Sequence, residues 1–417
     1  MGKTCLDVRG KDFYINGRLV YDEIPGAGNS KGLLMNSRFI QGVFDDKTDS
    51  SRFNRFGKIF DPNKNTDDLI AALPQWYKYG LRAITVGFQG GWPVFTLDVK
   101  TIDNNPFGKD GLKLEEAYGE RMDRIIRAAD ALGIVVIVNF LYWSQTLRLK
   151  DGRAIVNATR SAGNFIKNGG YTNVFIDLAN EHDISSWEPH PLVNSSESVQ
   201  LLMDIARKES GGILVGTSGG GGLSSPEVIA SSDIVLVHGN GLTRGEYFYF
   251  ISKVKEQAGN KPVICNEDSP CISRIEISKA THTSWGHYDN FTKQEPPCDW
   301  GITAGQDFFF ARRMARSLGI ELLNLPFEDQ FYLQGLEENI QVNGERWIRV
   351  AAEFPEKIDH VDFYKNDKYI YTSYDEPFFL FGETTWIQKG YKVAKGEELT
   401  AKILLQDGKE IFKTVKL

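Results

Sequence analysis

Two spacings of apolar residues alternate along the first three quarters of the chain. Short apolar runs of strand length are each followed by a stretch with the three-to-four spacing of an amphipathic helix. The runs are FIQGVF (39–44), LRAITVGF (81–88), IVVIVNF (134–140), NVFIDLA (173–179), GILVGT (212–217), DIVLVH (233–238), KPVIC (261–265) and THTSWGHYD (281–289). Helices are expected over about 65–80, 112–133, 153–168, 195–209, 225–231, 244–258 and 304–319. Asn65 and Thr66 stand as candidate caps of the first, and Pro74 inside it suggests a kink or a later start. Long loops are expected after the second, third and seventh runs.

Eight strand candidates, each followed by a helix or a long loop, predict a parallel sheet. Eight units in about 300 residues fit an α/β fold of the (β/α)8 TIM-barrel class. A doubly wound open sheet is the alternative, but no glycine fingerprint follows the first strand. The Gly219–Gly222 run lacks the Lys-Ser/Thr of a phosphate loop and reads as a surface loop. Ahead of the barrel, KDFYINGRLV (11–20) places Asn16-Gly17 between two extended pieces, a hairpin signal that suits a plug for the barrel bottom. Past about residue 336 the helical period disappears. Period-two segments broken by Gly, Asn and Asp predict a small all-β sandwich. The expected domains are 1–335, the barrel with its hairpin, and 336–417, the sandwich. The junction (327–345) has no Pro/Ser-rich tract, so the sandwich is expected to pack on the barrel.

Composition narrows the classes. The chain has 417 residues, 41% hydrophobic and 25% charged, with net charge −7. Lys and Arg are scattered, which argues against a nucleic-acid partner. No apolar run has membrane-spanning length. The start, MGKTCLDVRG, lacks the apolar core of a signal peptide. Met1-Gly2 fits an engineered start. This leaves a secreted, periplasmic or cell-surface protein whose leader is missing here, with a cytosolic location as the alternative. The four cysteines, Cys5, Cys265, Cys271 and Cys298, match neither a disulfide scaffold nor a zinc pattern and read as free thiols.

The candidate chemistry sits at strand ends. VFIDLANEHD (174–183) is an apolar run that stops in Asn180-Glu181-His182-Asp183. In an eight-fold barrel, polar residues at a strand's carboxyl end read as active-site residues. The dipeptide Asn-Glu occurs twice in the chain, and the second copy, Asn266-Glu267, also closes a strand. Two carboxylates facing each other across a barrel mouth suit glycoside hydrolysis. The leaving oxygen needs a proton, and the anomeric carbon needs a nucleophile or a negative charge opposite. The substrate class is then a poly- or oligosaccharide, and no cofactor or metal is called for. His182, Asp183 and His190 match no metal motif.

Here the sequence resembles the retaining glycoside hydrolases of clan A, which include cellulases, mannanases and β-glycosidases, over about residues 10–325. The resemblance implies that Glu181 is the acid/base, Glu267 the nucleophile and Asn180 a donor to the sugar's 2-hydroxyl. It also implies His238 near the nucleophile and Trp285 under the sugar at the cleavage point. Two departures stand out. His182 follows Asn-Glu where many members have Pro. Arg82 lies at the start of strand two, whose end is Gln89-Gly90-Gly91-Trp92, so the Arg that braces the nucleophile is unassigned. HVDFYKNDKYIYTSYDEPFFL (360–380) resembles immunoglobulin-like modules appended to bacterial polysaccharide-degrading enzymes.

Duller alternatives exist for each residue. Glu181 could form a cap or an ion pair, and Asp268 could share or take the role of Glu267. Asn180 could form an Asx turn, and His238 could be a satisfied core histidine. Trp285 and Trp143 could be core residues. Trp92 and Trp187 lie in polar loops and are expected as exposed platforms for a pyranose face. Asn139 and Tyr142, just past strand three, are expected to line the cleft. A non-catalytic carbohydrate-binding barrel is the competing function; it has no need of matched carboxylates.

Overall fold

The computed structural model describes residues 2–386 and 388–417. The chain enters as a small antiparallel sheet of β1 (Leu6–Arg9), β2 (Asp12–Ile15) and β3 (Arg18–Leu19). Asn16 and Gly17 both have positive φ, as a two-residue hairpin turn requires. Hydrogen bonds tie this sheet to residues just ahead of barrel strands. Leu6 N donates to the Thr172 carbonyl, Tyr21 Oη to the Gly80 carbonyl, and Met35 N to Tyr21 Oη. Phe13, Val20 and Tyr21 are buried in the main core, so the hairpin closes the amino-terminal end of the barrel.

The barrel strands are β4 (Asn36–Arg38), β5 (Ala83–Gly87), β6 (Val135–Leu141), β7 (Val174–Ala179), the pair β8 (Val215–Gly216) and β9 (Ser218–Gly219), β10 (Val235–His238), β11 (Val263–Glu267) and β12 (Ser284–His287). All their pairings are parallel, in the order β8-β7-β6-β5-β4-β12-β11-β10-β9. β8 and β9 are two halves of one strand, joined by Thr217. Its first half pairs with β7 and its second with β10, so the sheet closes on itself as eight strands. At the β12–β4 seam a side chain on Gly286 would lie 2.1 Å from Asn36 Oδ1, so only glycine admits the contact.

The outer layer is α1 (Pro62–Lys78), α2 (Glu116–Leu132), a single turn α3 (Trp143–Thr146), α4 (Gly152–Gly169), α5 (Pro191–Asn194), α6 (Ser196–Glu209), α7 (Pro226–Ser231), α8 (Arg244–Ala258), α9 (Arg274–Thr281) and α10 (Gln306–Ser317). The caps follow sequence rules. Asp151 accepts from Ala154 N, and Thr243 and Glu246 form a capping box.

Three expectations are corrected. The first strand is Asn36–Arg38, and segment 39–44 is a run of turns just beyond it. Asp61, with Pro62 behind it, caps α1, while Asn65 and Thr66 lie inside the helix and donate to the carbonyls of Gln41 and Gly42. Pro74 stays within that helix. Gly219 is not surface loop but the buried end of the fifth strand.

The carboxy-terminal part is a sandwich of two layers. β13 (Phe331–Gln334) pairs antiparallel with β14 (Arg349–Ala352). Opposite them lies the antiparallel sheet β16-β15-β17-β18, made of β15 (Ile358–Lys365), β16 (Lys368–Ser373), β17 (Glu398–Leu405) and β18 (Glu410–Lys416). Phe331, Leu333, Val350, Val361, Phe363 and Ile403 fill the core between the layers, so that core begins at Phe331. The sandwich is docked by buried polar contacts. Glu353 pairs with Arg312 at 3.0 Å and with Arg316 at 2.8 Å. Glu376 accepts from Ser273 N at 3.1 Å, and Arg349 donates to Gln306 Oε1 at 2.6 Å. No helix among the described residues is long and apolar enough to cross a membrane.

Candidate active site

Glu181 stands two residues past β7, with φ of +51°. A side chain in that left-handed conformation is strained, and such residues cluster at functional sites. The neighbouring chain makes room: a Cβ on Gly220 would lie 3.4 Å from Glu181 Cβ and 2.3 Å from the Ile184 side chain. The Glu181 amide donates to Ser218 Oγ at 3.2 Å.

Glu267 ends β11 through a bulge. Val237 pairs with Cys265, yet the next residue, His238, pairs with Glu267, so Asn266 is the extra residue. A bulge re-aims side chains. Asn266 and Glu267, though consecutive, both reach into the barrel. Asn266 Nδ2 lies 3.3 Å from Asp177 Oδ2, and Glu267 Oε2 lies 2.8 Å from Arg38 Nε.

His238 joins the two acids. Its Nδ1 is 2.9 Å from Glu181 Oε1 and 3.5 Å from Glu267 Oε2. One donor atom each of Glu181, His238 and Glu267 all lie within 4.8 Å of one another. Asn240 Nδ2 donates to Glu267 Oε1 at 2.7 Å, and Arg38 Nη2 donates to Asn180 Oδ1 at 2.8 Å. Below this level Asp177 accepts from Asn139, Asn266 and Ser218.

These contacts set the charges. Burial works to raise the Glu267 pKa, but the Arg38 and His238 charges and the Asn240 hydrogen bond outweigh it, and the carboxyl is held below its ordinary range. Burial works against a charged His238, yet Glu267 and Glu181 prevail and raise its pKa. Asp177 is lifted, chiefly by burial. The result is an ionised Glu267 gripped by cations, with Glu181 facing it across His238.

The expected residues separate into four groups. Glu181, Glu267, Asn180, His238 and Tyr142 come together at the mouth; Glu267 and Glu181 both act on Tyr142 electrostatically, and burial pushes its hydroxyl pKa up. Asn139 lies one layer below, hydrogen-bonded to Asp177. Trp92 stacks on Trp143 at 4.7 Å, both half-buried, at the ends of strands two and three.

Trp285 and Trp187 do not join them. Trp285 is fully buried behind its strand, donates to Asp268 Oδ2 at 2.6 Å and packs edge-on against Phe310 of α10. Asp268 is itself turned away and paired with Arg274, so it does not share the mouth with Glu267. Trp187, expected as an exposed platform, is fully buried and donates to the Asn180 carbonyl at 2.9 Å.

Four residues at the mouth were not anticipated. Arg38, on strand one, is the arginine that pairs with Glu267. The signal was present, since Asn36-Ser37-Arg38 follows the apolar Leu33-Leu34-Met35 just as Asn180-Glu181 follows its own run. Asn240 lies two residues past β10. Tyr288, one past β12, has its ring 5.7 Å from the Arg38 guanidinium, and Trp386 of the sandwich stacks on it at 5.7 Å and 20°. Nothing in a strand pattern points to Trp386.

Among the described residues, Glu181, His238 and Glu267 form the one three-donor cluster that could hold a metal ion. It fits a cation poorly. Glu267 is already paired with Arg38, and the two carboxylates raise the His238 pKa, which favours the charged ring over a neutral ligand.

Comparison of the sequence with family models and with curated proteins gives no match. Among solved structures, the chain is similar to the endo-beta-1,4-mannanase of Thermotoga petrophila at 13% identity and a TM-score of 0.47, over 92% of this chain and 97% of that one. It is similar to beta-glucuronidase 2 of Bacteroides uniformis (a calcium-binding mutant) at 11% identity and a TM-score of 0.46, over 97% of this chain and 46% of that one. For the beta-glucuronidase of Parabacteroides merdae the values are 12%, 0.43, 99% and 50%. The chain thus spans about half the length of these glucuronidases.

Proposed function

We propose that this protein is a retaining glycoside hydrolase acting on a poly- or oligosaccharide. The observation that carries the reading is the approach of the two carboxylates, with an oxygen of Glu181 and one of Glu267 within 4.8 Å. Carboxyl groups about 5–5.5 Å apart leave room for a covalent intermediate, whereas inversion needs roughly 6.5–9.5 Å for a water between.

Glu267 is the nucleophile, because Arg38 and His238 keep it ionised. Glu181 is the acid/base. Its side chain is 18% exposed against 7% for Glu267, so it meets the leaving group and incoming water. In the first step a Glu267 oxygen bonds to the anomeric carbon as the glycosidic bond breaks, and the Glu181 proton passes to the departing oxygen. In the second, water attacks that carbon, Glu181 takes its proton, and the bond to Glu267 breaks. Arg38 holds Asn180 as well as Glu267, so the amide stays aimed beside the nucleophile, where a sugar hydroxyl would meet it.

The test is a panel of aryl glycosides and oligosaccharides, with the product anomer read by NMR, followed by a 2-deoxy-2-fluoro glycoside. Hydrolysis with retention and a mass increment on the peptide containing Glu267 are expected. Inversion, or labelling elsewhere, overturns the mechanism. No turnover and no labelling with an intact fold would favour a non-catalytic sugar-binding barrel.

A further inference from the structure

The sandwich does more than flank the barrel. Its segment 376–386 lies over the carboxyl ends of strands six to eight. Thr385 Oγ1 donates to the Leu242 carbonyl beyond strand six at 2.9 Å and lies 3.0 Å from Ser269 Oγ beyond strand seven. Glu376 is hydrogen-bonded to Ser273, and Trp386 stacks on Tyr288 beyond strand eight. The half-buried Trp386 thus stands on the strand-eight side of the mouth, and the half-buried Trp92–Trp143 stack follows strands two and three, where Gln294 of the strand-eight loop donates to the Trp92 carbonyl.

Beside Trp386 the polar groups are unusual. Asp289, Arg349 and Gln388 line a recess of about 110 Å³ between the strand-eight loop and the sandwich. Asp289 Oδ2, Arg349 Nε, Gln388 Oε1 and Tyr288 Oη have no partner among the described residues. Asp289, Arg349 and Tyr288 are at most 5% exposed. Buried polar groups normally find partners, so several unpaired ones around one recess point to a polar ligand. Aromatic faces next to unpaired donors and acceptors match the two surfaces of a pyranose, its C–H face and its hydroxyl edge.

From this arrangement we infer that Trp386, carried by the sandwich, is a substrate-contacting wall of the barrel mouth. It stacks on a sugar unit beyond the scissile bond, whose hydroxyls reach Asp289, Arg349 and Gln388. A second aromatic face at the mouth, besides the Trp92–Trp143 stack, fits more than one sugar unit, so the substrate is an oligomer or polymer. This rests on the glycosidase reading for the place of the bond, though not for binding.

The experiment titrates Glu267→Gln protein by calorimetry with β-linked gluco-, manno-, galacto- and xylo-oligosaccharides, from monomer to pentamer. It is repeated with Trp386→Ala and with Trp386→Phe added, after circular dichroism confirms the fold of each. Affinity is expected to rise with chain length. Trp386→Ala should remove roughly tenfold of that rise, and Trp386→Phe should restore part of it, as loss of one aromatic stack implies. Length-independent affinity, or equal affinity with and without Trp386, overturns the inference, as does absence of binding to every sugar. Binding through Trp386 by a protein whose unsubstituted form hydrolyses nothing overturns the glycosidase reading alone. Hydrolysis with a Trp386-indifferent affinity overturns this inference alone.

Discussion

The Arg38 guanidinium holds Glu267 Oε2 through Nε at 2.8 Å and Asn180 Oδ1 through Nη2 at 2.8 Å. One side chain from strand one thus fixes the ends of strands four and seven. Replacing it with Met removes the charge that keeps Glu267 ionised. The acidic limb of kcat/KM should move to higher pH. Breaking one side of a buried pair should also cost about 3 kcal/mol or more of stability. A pH–rate profile checks the first and chemical denaturation the second; an unmoved acidic limb would contradict the assigned role of Arg38.

Glu267→Ala should abolish turnover. Glu181→Ala should slow glycosides with poor leaving groups by roughly 100- to 10,000-fold, while activated aryl glycosides lose much less. Added azide should rescue the second variant by attacking the anomeric carbon of the glycosyl-enzyme in place of water, because an anionic nucleophile needs no base; the bond to Glu267 breaks and a glycosyl azide is released. Equal losses on both substrate types would undo the division of roles.

His238 and Glu267 also predict a pH-dependent stability. The His238 pKa is raised in the fold, so its contribution is complete below the ordinary value of 6.5 and is lost as pH rises through the raised value. The Glu267 pKa is lowered, so its contribution is present above 4.5 and is lost as pH falls through the lowered value. The Tm advantage of the unsubstituted protein over His238→Gln should be widest between pH 4.5 and 6.5 and narrow at higher pH. A gap that grows with rising pH would rule out the charge interaction.

The tryptophans should divide into two classes. Trp285→Phe leaves the buried Asp268 carboxylate without its indole donor and should lower stability by about 1–3 kcal/mol. Trp143→Ala removes half of the rim stack. It should raise KM for oligosaccharides several-fold, by about 0.5–1.5 kcal/mol of binding, with little change in Tm. Paired melting and kinetic measurements separate the two; a Trp285→Phe effect confined to KM would return that ring to the cleft.

Activity should survive dialysis against chelator, because Arg38 is already paired with Glu267 and the carboxylates raise the His238 pKa, which disfavours the neutral ring that a cation needs. Loss with EDTA, restored by one divalent ion, would show that the Glu181–His238–Glu267 triangle is a metal site after all.

Much of this was legible in the chain itself. Alternating apolar runs and helical stretches determine a parallel α/β sheet, and their count of eight suits a barrel, because each strand is buried on both faces and must read as continuously apolar. Asn180-Glu181 and Asn266-Glu267 stand out because polarity at the end of such a run has no packing explanation. Tertiary structure decided the rest, for reasons of direction and distance. Strand alternation alone would send Glu267 the same way as Cys265, behind the sheet; the Asn266 bulge turns it inward. Trp285, level with Cys265, keeps the outward direction and is lost to the core. Arg38 sits on a three-residue strand too short and polar to show a period, and only ring closure brings it to Glu267. Trp386 belongs to another sheet altogether. Local patterns record which residues are buried, but which side chains share a cavity depends on register, bulges and the docking of distant segments, and these exist only once the whole chain has folded.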